Sequence, residues 1–178
     1  MSEIIQTPPR TIMEVYKMLP EGTLAELIDN VIYMPPSPIR SHQEISIDIS
    51  SQLHSWFKKN KKGKVYVAPF DVYLDETSNA VQPDIIILLD NQLDIIENKD
   101  HIHGVPAILI EILSEGNKNH DLIRKKDLYE RFGVKEYHAV DPDTKLVLTF
   151  VLVSGKYQKT KETIGKLSSD LLQQEFEF

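Results

Sequence analysis

Two apolar segments of the chain each contain a single acidic residue. The first covers residues 81–89 and carries Asp84, and the second covers residues 106–113 and carries Glu111. A short apolar run bounded by turn residues is typical of a strand buried on both faces. A buried carboxylate is costly without a partner, so each acid is expected beside a cation, a metal ion or a hydrogen-bond donor.

Asp84 and Glu111 together have the chemistry of a divalent-metal site. Two carboxylates and several water molecules can hold one Mg²⁺ ion, which prefers oxygen ligands. Such an ion polarises a phosphate group and lowers the pKa of its bound water, which predicts phosphodiester hydrolysis. Structural alternatives stay open. Asp84 can face solvent or cap a turn at the start of its strand, whereas Glu111 has apolar neighbours on both sides and must be neutral or paired.

A third reactive group is Lys125, in a segment with helical spacing. A helix is predicted over residues 120–132, with Gly133 as its C-terminal stop. At about 100° per residue, Lys125 falls at the centre of the apolar face and Lys126 falls near its rim. Two alternatives follow for Lys125. It forms a structural pair with Asp121 one turn earlier, or its amine orients water and stabilises charge in a catalytic site.

Two further residues are candidate members of the same site. Glu26 lies in a predicted hairpin, where it is either a third acid of the metal site or an acid at a sheet edge. His42 begins a predicted helix, and a lone histidine there is more often a surface or capping residue than a ligand. The remaining histidines in the middle of the chain show no metal-ligand spacing, and no P-loop, dinucleotide glycine motif or nucleophile elbow is present.

Capping signals and apolar periodicity predict the helices that must position these residues. Thr11 has the spacing of a capping box and predicts a short helix over residues 12–19. Ser41 repeats that spacing before an amphipathic helix over residues 42–60. Together with the segment that carries Lys125, the chain therefore has two sizeable helices and one short helix.

The remaining elements are predicted strands. Residues 24–34 indicate a hairpin, with Asn30 adopting positive φ in its turn. Further strands are predicted at 65–68, 72–74, 84–89, 107–113, 136–140, 146–153 and around residue 157. No element is assigned to the tail at residues 161–178. The order of elements indicates an α/β or α+β fold, in which helices flank a mixed central sheet.

Length and composition predict one globular domain over residues 1–178, with residues 1–10 as a loose arm. No segment has the length of a membrane span or the pattern of a signal peptide, so a cytoplasmic location is expected. The absence of cysteine excludes disulfides and thiolate zinc sites. The net charge of −7 counts against broad, nonspecific binding of duplex DNA.

The chain resembles a known bacterial family in eight segments that occur in the family's order. These are AELID at 25–29, SHQ at 41–43, VAPFDV at 67–72, VQPD at 81–84, IEILS at 110–114, KKDLY at 125–129, GVKEY at 133–137 and VDP at 140–142. They resemble the Uma-type restriction endonucleases of the PD-(D/E)XK nuclease superfamily. The resemblance covers roughly residues 10 to 155.

The resemblance implies a restriction-endonuclease-like fold and a set of site residues. Asp84 matches the Asp of the Pro-Asp motif, and Glu111 matches the second acid. The lysine usually found two residues after that acid is absent, because position 113 is leucine. In this family the following helix supplies the lysine, and the matching position is Lys125. Asn30 stands where the family commonly has glycine, a mild change because Asn tolerates the same backbone geometry.

These observations predict a Mg²⁺-dependent endonuclease that hydrolyses DNA, with Mn²⁺ as a possible substitute for Mg²⁺. Asp84 and Glu111 hold the metal and Lys125 positions the attacking water. Glu26 and His42 are additional site members. A homodimer is expected, because two sites are needed to cut both strands together. The alternative is a weak or inactive nuclease fold that serves as a nucleic-acid-binding or assembly module, and RNA or branched DNA also stays open as the substrate.

Overall fold

The computed structural model describes residues 8–97, 99–114, 116, 118 and 120–178. Three α-helices are present in this part of the chain: α1 (Ile12–Lys17), α2 (Arg40–Asn60) and α3 (Lys126–Phe132). A 3₁₀-helix spans Asp90–Ile95, and a π-helical segment, His120–Lys125, runs directly into α3. Most of the predicted arm, residues 1–7, lies outside the described residues, and residues 8–10 are exposed. No helix in the described part is long and apolar enough to span a membrane.

Thirteen strands form three sheets among the described residues. In chain order they are β1 (Glu26–Ile28), β2 (Val31–Tyr33), β3 (Gly63–Val67), β4 (Val72–Tyr73), β5 (Ala80–Val81), β6 (Ile85–Leu89), β7 (Ile102–His103), β8 (Ile108–Ile112), β9 (Glu136–Val140), β10 (Leu146–Val153), β11 (Lys156–Ile164), β12 (Lys166–Ser169) and β13 (Gln174–Glu177). The large sheet has the order β11-β10-β9-β8-β6-β3. A second sheet has the order β2-β1-β5-β4-β7, and β12 pairs with β13.

The large sheet is mixed, because β8 and β9 run parallel whereas its other pairs are antiparallel. Parallel neighbours need a crossover connection, and the π-helical segment with α3 supplies it between β8 and β9. The two apolar runs of the sequence form the adjacent strands β6 and β8, as their patterns predict. The mixed sheet with few helices confirms the predicted fold class.

Both faces of the large sheet are buried at its central strands β6, β8 and β9, where alternate residues serve different faces. On one face, Ile85 and Ile110 pack against an apolar stripe of α2 that consists of Ile45, Ile49, Leu53 and Phe57. On the other face, Ile86 and Leu109 pack against α3 and the second sheet. This two-sided burial explains why the strands read as continuous apolar runs.

The second sheet begins with the predicted hairpin. β1 and β2 pair antiparallel across a two-residue turn, in which Asp29 and Asn30 have φ values of 49° and 62°. Positive φ at both positions is the geometry of a type I′ turn, which favours Asn and Asp. The hairpin packs against α1, whose first turn is capped by Thr11 through a bond from the backbone N–H of Glu14 at 3.1 Å, as predicted.

The predicted start of the long helix is wrong by two residues. α2 begins at Arg40 after an extended Ile39, and no side chain caps it, so Ser41 lies inside its first turn. Glu44 faces Arg40 at 3.7 Å rather than completing a capping box. The helix ends at Asn60, and its C-cap residue, Lys61, adopts the left-handed conformation with φ of 50° before Gly63 begins β3.

Sequence periodicity also missed structure at the C-terminus. The strand expected around residue 157 is the nine-residue β11, and the tail forms the hairpin β12–β13. Leu167, Leu172 and Phe176 from this tail join the core beneath α2. Their spacing follows neither a helix nor a single strand, because Leu167 lies on β12, Leu172 in the turn at residues 170–173 and Phe176 on β13.

Candidate active site

The pairing of β6 with β8 brings Asp84 and Glu111 to the same place. The two strands are antiparallel and Ile85 pairs with Ile110. Asp84, one residue before Ile85, therefore lies opposite Glu111, one residue after Ile110. By strand alternation both side chains point to the face that carries α3, and both line one cleft of about 450 Å³. The predicted arrangement of these acids on neighbouring strands is therefore present, whereas their role as metal ligands stays a prediction.

Asp84 is held by donors from two directions. Its Oδ2 accepts a hydrogen bond from the backbone N–H of Ile112 at 2.7 Å and lies 3.1 Å from Nε2 of His42. Burial opposes a positive charge on His42. The hydrogen bond with Asp84 and the negative charge of Asp84 outweigh burial, so the pKa of His42 lies above its ordinary value. The Nδ1 atom of His42 is buried and has no hydrogen-bond partner among the described residues. The structure therefore brings His42 to Asp84, as its predicted place in the site requires.

Glu111 is buried beside two donors from the helical crossover. Its Oε1 accepts from Nζ of Lys125 at 2.9 Å and from the Tyr129 hydroxyl at 2.6 Å. Burial raises the pKa of Glu111 well above its ordinary value. The charge of Lys125 opposes that shift, and the neighbouring carboxylates, Asp84 first among them, add to it. Lys125 and Tyr129 thus hold the Glu111 side chain in place, but the charge of Lys125 does not fully offset the effect of burial and of the neighbouring carboxylates.

Lys125 lies at the centre of an acidic cluster. Its Nζ is 2.8 Å from Glu26, 2.9 Å from Glu111 and 3.7 Å from Asp121. Burial disfavours the charge on Lys125, but these carboxylates outweigh burial and raise its pKa well above the ordinary value. Lys125 therefore contacts both Asp121, its partner in the structural alternative, and Glu111, whereas its catalytic role stays a prediction. Lys126 lies outside the cluster, where it faces Asp127 at 3.2 Å.

Glu26 joins the site from the second sheet. Its Oε1 accepts from the backbone N–H of Gln82 at 3.0 Å, and its Oε2 lies 3.5 Å from Nε2 of His120. Burial works against ionisation, but Lys125 and His120 lower the pKa of Glu26 to about 2, so this carboxylate stays charged. The structure thus brings Glu26 to Lys125.

The helical crossover that carries Lys125 differs from the predicted α-helix. Residues His120–Lys125 are π-helical, a form that is rare and frequent at functional sites. Asp121 and Lys125 are both buried within it, and the Tyr137 hydroxyl donates to the Asp121 backbone carbonyl at 3.1 Å. The sequence pattern predicted no site role for Tyr129. Its position four residues after Lys125 was the available signal for a shared site.

The donor set of this cleft fits a hard divalent cation. Three carboxylates surround Lys125, and a fourth, that of Asp84, lines the same cleft. Burial together with mutual repulsion raises the pKa of both Glu111 and Asp121. Among the described residues, no three acidic or imidazole side chains are arranged as a complete metal-ligand group. Mg²⁺ usually takes one or two carboxylates and keeps several waters. The opposed pair Asp84 and Glu111 suits that mode of binding.

Comparison with known proteins shows the family and the fold of the chain. A family model described as "Putative restriction endonuclease" matches residues 13–177. A similar solved structure is the "Crystal structure of a putative nuclease belonging to DUF820 from Anabaena variabilis ATCC 29413", which is 20% identical in sequence. The alignment covers 84% of this chain and 83% of that chain, with a TM-score of 0.69, and shows a shared fold. Comparison with curated proteins finds no match. The family match extends over nearly the whole chain, so the protein belongs to the Uma2 family.

Proposed function

We propose that the protein is a metal-dependent endonuclease that hydrolyses DNA phosphodiester bonds in the cleft between Asp84 and Lys125. The observation that carries this proposal is the position of the Lys125 ammonium. Its Nζ lies 2.9 Å from Oε1 of Glu111, and Glu111 on β8 lies opposite Asp84 at the start of the adjacent strand β6. Two acids and a lysine in this relation supply the groups that phosphodiester hydrolysis needs. The family description supports a nuclease as the class of enzyme.

Asp84 and Glu111 are the residues that would hold Mg²⁺, together with the backbone carbonyl of Ile112 and water molecules. When bound, the ion supplies polarisation of the phosphate and activation of water. Two contacts keep the Asp84 carboxylate in one orientation: the hydrogen bond from the backbone N–H of Ile112 and the contact with Nε2 of His42. The Tyr129 hydroxyl does the same for Glu111.

Lys125 acts in this proposal as a positive charge and hydrogen-bond donor. Its raised pKa keeps the proton on Nζ, so the amine does not serve as a general base. An ammonium at this place can donate to the oxygen of the attacking water and to a phosphate oxygen whose negative charge grows in the transition state. Glu26, ionised and 2.8 Å away, holds the ammonium in position.

A metal-binding measurement tests the proposal. Mg²⁺ or Mn²⁺ should raise the melting temperature of the wild-type protein, because a ligand that binds only the folded state stabilises it. Asp84→Asn and Glu111→Gln should each abolish the metal-dependent shift and DNA cleavage. Asp94→Asn, on the 3₁₀-helix and outside the cleft lining, is the matched control and should keep both.

One observation favours a second candidate function. Lys125 is engaged by three carboxylates, which also suits a structural role in an inactive nuclease fold that binds nucleic acid or assembles with a partner. That candidate predicts no change in melting temperature at millimolar-scale Mg²⁺ or Mn²⁺ and no cleavage by the wild-type protein. Either metal-dependent stabilisation or cleavage that Asp84→Asn removes would exclude it.

A further inference from the structure

The reactive groups lie at the base of a small cleft. Asp84 has a side-chain exposure of 17%, and the side chains of Glu26, Glu111, Asp121 and Lys125 are each exposed by 9% or less. The cleft volume of about 450 Å³ lies in the range of small-molecule sites, about 300–1,000 Å³. A phosphate must therefore descend into the cleft to reach Lys125. In an intact duplex, the second strand and the stacked bases oppose that descent.

One wall of the cleft is apolar and exposed. It is formed by residues 34–39, here called the proline segment, which connects β2 to α2 and contains three prolines. Met34 and Ile39 in this segment are 69% and 59% exposed. Proline restricts φ and so limits the movement of this wall. An exposed apolar wall directly beside Lys125 and the acids that would hold a divalent cation suits a ligand that has both a phosphate and a flat apolar surface.

Unpaired nucleotides have that combination, whereas duplex DNA hides it. The faces of bases are stacked within a duplex and become available in single strands or when a base is flipped out. Proteins that bind single strands use side chains on which the bases stack, and this contact is tolerant of sequence. The proline segment offers such a contact close to Asp84.

The net charge of the chain also disfavours duplex binding. Duplex affinity comes largely from neutralising many phosphates with lysine and arginine, and the chain has a net charge of −7. Contacts to bases are thus a more suitable source of affinity here than contacts to two phosphate backbones.

We infer that the substrate is an unpaired DNA strand, as a single strand or flap, whose bases contact the proline segment while one phosphate enters the cleft. This inference rests on the proposed nuclease function and names its substrate class. The strand is recognised by base faces and phosphate, which single-stranded RNA shares, so RNA forms a separate arm of the test.

Cleavage of four matched substrates in Mg²⁺ provides the first measurement. They are one labelled DNA oligonucleotide alone, the same strand in a blunt duplex, the same strand as a flap on a duplex, and its RNA counterpart. The single strand and the flap should be cut at least about tenfold faster than the duplex, the ratio expected when about 1.4 kcal/mol of apolar contact is lost. Equal or faster cleavage of the blunt duplex would overturn the inference, and cleavage confined to RNA would overturn its assignment to DNA.

Binding without metal provides a second measurement that does not need catalysis. Fluorescence anisotropy should show the single strand binding more tightly than the duplex. Met34→Ser combined with Ile39→Ser should weaken single-strand binding by about tenfold, since two apolar side chains lose their contact. Ile164→Ser is the matched control, because Ile164 is 76% exposed on β11 and away from the cleft, and should bind like wild type.

The two measurements separate the inference from the proposed function. A preference for single strands that depends on the proline segment, with no cleavage of any substrate, would refute the nuclease proposal and leave the strand preference standing. Equal affinity for single strand and duplex, or unchanged binding by the Met34 and Ile39 variant, would refute the strand preference. Melting temperatures of the variant and control should match wild type, because all three altered side chains are exposed.

Discussion

At the residue scale, Lys125 and Lys126 provide a comparison within one crossover. The two lysines are adjacent, but only Lys125 reaches the acidic cluster, and Lys126 Nζ lies near Asp127 and over the Phe150 ring at 5.8 Å. The proposed chemistry uses the charge of Lys125 close to the phosphate. The charge of Lys126 contributes at most a long-range attraction for the phosphates of a bound strand.

Lys125→Met should lower the single-turnover rate of DNA cleavage by on the order of a hundredfold or more, because a group that stabilises developing charge is lost. Methionine keeps much of the side-chain volume. The variant also leaves Glu26 and Glu111 without their cation, so folding must be matched by circular dichroism before rates are compared.

The matched control is Lys126→Met, which should lose much less activity. The loss of cleavage rate in Lys126→Met should become smaller at high salt, because the Lys126 charge attracts phosphate through solvent, and salt screens that attraction. Equal rate losses at both positions would remove Lys125 from its proposed role. A Lys125→Met protein with altered stability and wild-type cleavage would assign the lysine to structure alone.

At the scale of elements, the loop between β4 and β5 fixes the hairpin that carries Glu26. Asp75 Oδ1 accepts from the backbone N–H groups of Thr77 at 2.8 Å and Ser78 at 2.6 Å, and its Oδ2 accepts from Asn79 Nδ2 at 2.7 Å. Asn79 Oδ1 in turn accepts from the backbone N–H of Asp29 in the hairpin turn at 2.9 Å. The loop thereby connects the hairpin to the segment that leads into Asp84.

Asp75 should make this connection dependent on pH. Burial opposes its ionisation, but the hydrogen bonds from Asn79, Ser78 and Thr77 lower its pKa to about 2. A lowered acid pKa stabilises the folded state above the unfolded pKa of about 3.9, and that contribution is lost as pH falls through about 2.

Asp75→Asn should therefore destabilise the protein at neutral pH by roughly 1 kcal/mol, a small effect because the group is partly exposed to solvent. The difference from wild type, measured by urea unfolding, should decline between about pH 4 and pH 2. Asp94→Asn, at an exposed position of the 3₁₀-helix, is the control. A difference that is constant over this pH range would contradict the assigned role of the Asp75 carboxylate.

At the scale of the whole molecule, the C-terminal hairpin completes the core. The backbone N–H of Leu171 donates to Glu136 Oε2 at 2.9 Å, which attaches the tail to the buried strand β9. Oε1 of Glu136 also lies 2.6 Å from Nε2 of His138, and both side chains are buried. The hairpin then places Phe176 against Trp56 of α2, with ring centroids 6.2 Å apart.

Phe176→Ala should lower the free energy of unfolding by about 3–5 kcal/mol, because it leaves a cavity in a packed core. Leu171→Ala in the same tail is the control, since Leu171 is 39% exposed whereas Phe176 is 4% exposed. Denaturant unfolding measures both. Similar small losses at the two positions would show that the tail contributes little to the core.

The expected homodimer stays a prediction at this scale. It follows from the need for two sites when both strands of a duplex are cut together. An unpaired strand needs one site, so the substrate inference removes that requirement. Sedimentation of the protein with and without single-stranded DNA measures the oligomeric state directly.

The sequence by itself determined the elements whose patterns are local. Continuous apolar runs are the direct result of burial on both faces of a strand, so they predicted β6 and β8 and located one acid on each. Asn30, a residue that tolerates positive φ, predicted the turn of the hairpin, and the structure adds positive φ at Asp29. The apolar stripe of α2 repeats with the period of a helix, so it predicted the helix and the face that packs on the sheet.

Only the tertiary structure decided which of these elements meet. Glu26 and Lys125 are 99 positions apart in the chain and 2.8 Å apart in space, and His42 reaches Asp84 across the end of a sheet. Those contacts depend on strand order and crossover geometry, which no local period encodes. The π-helical turn and the core role of the C-terminal hairpin have the same origin. Each is stabilised by partners distant in sequence, and packing against those partners overrides local propensity.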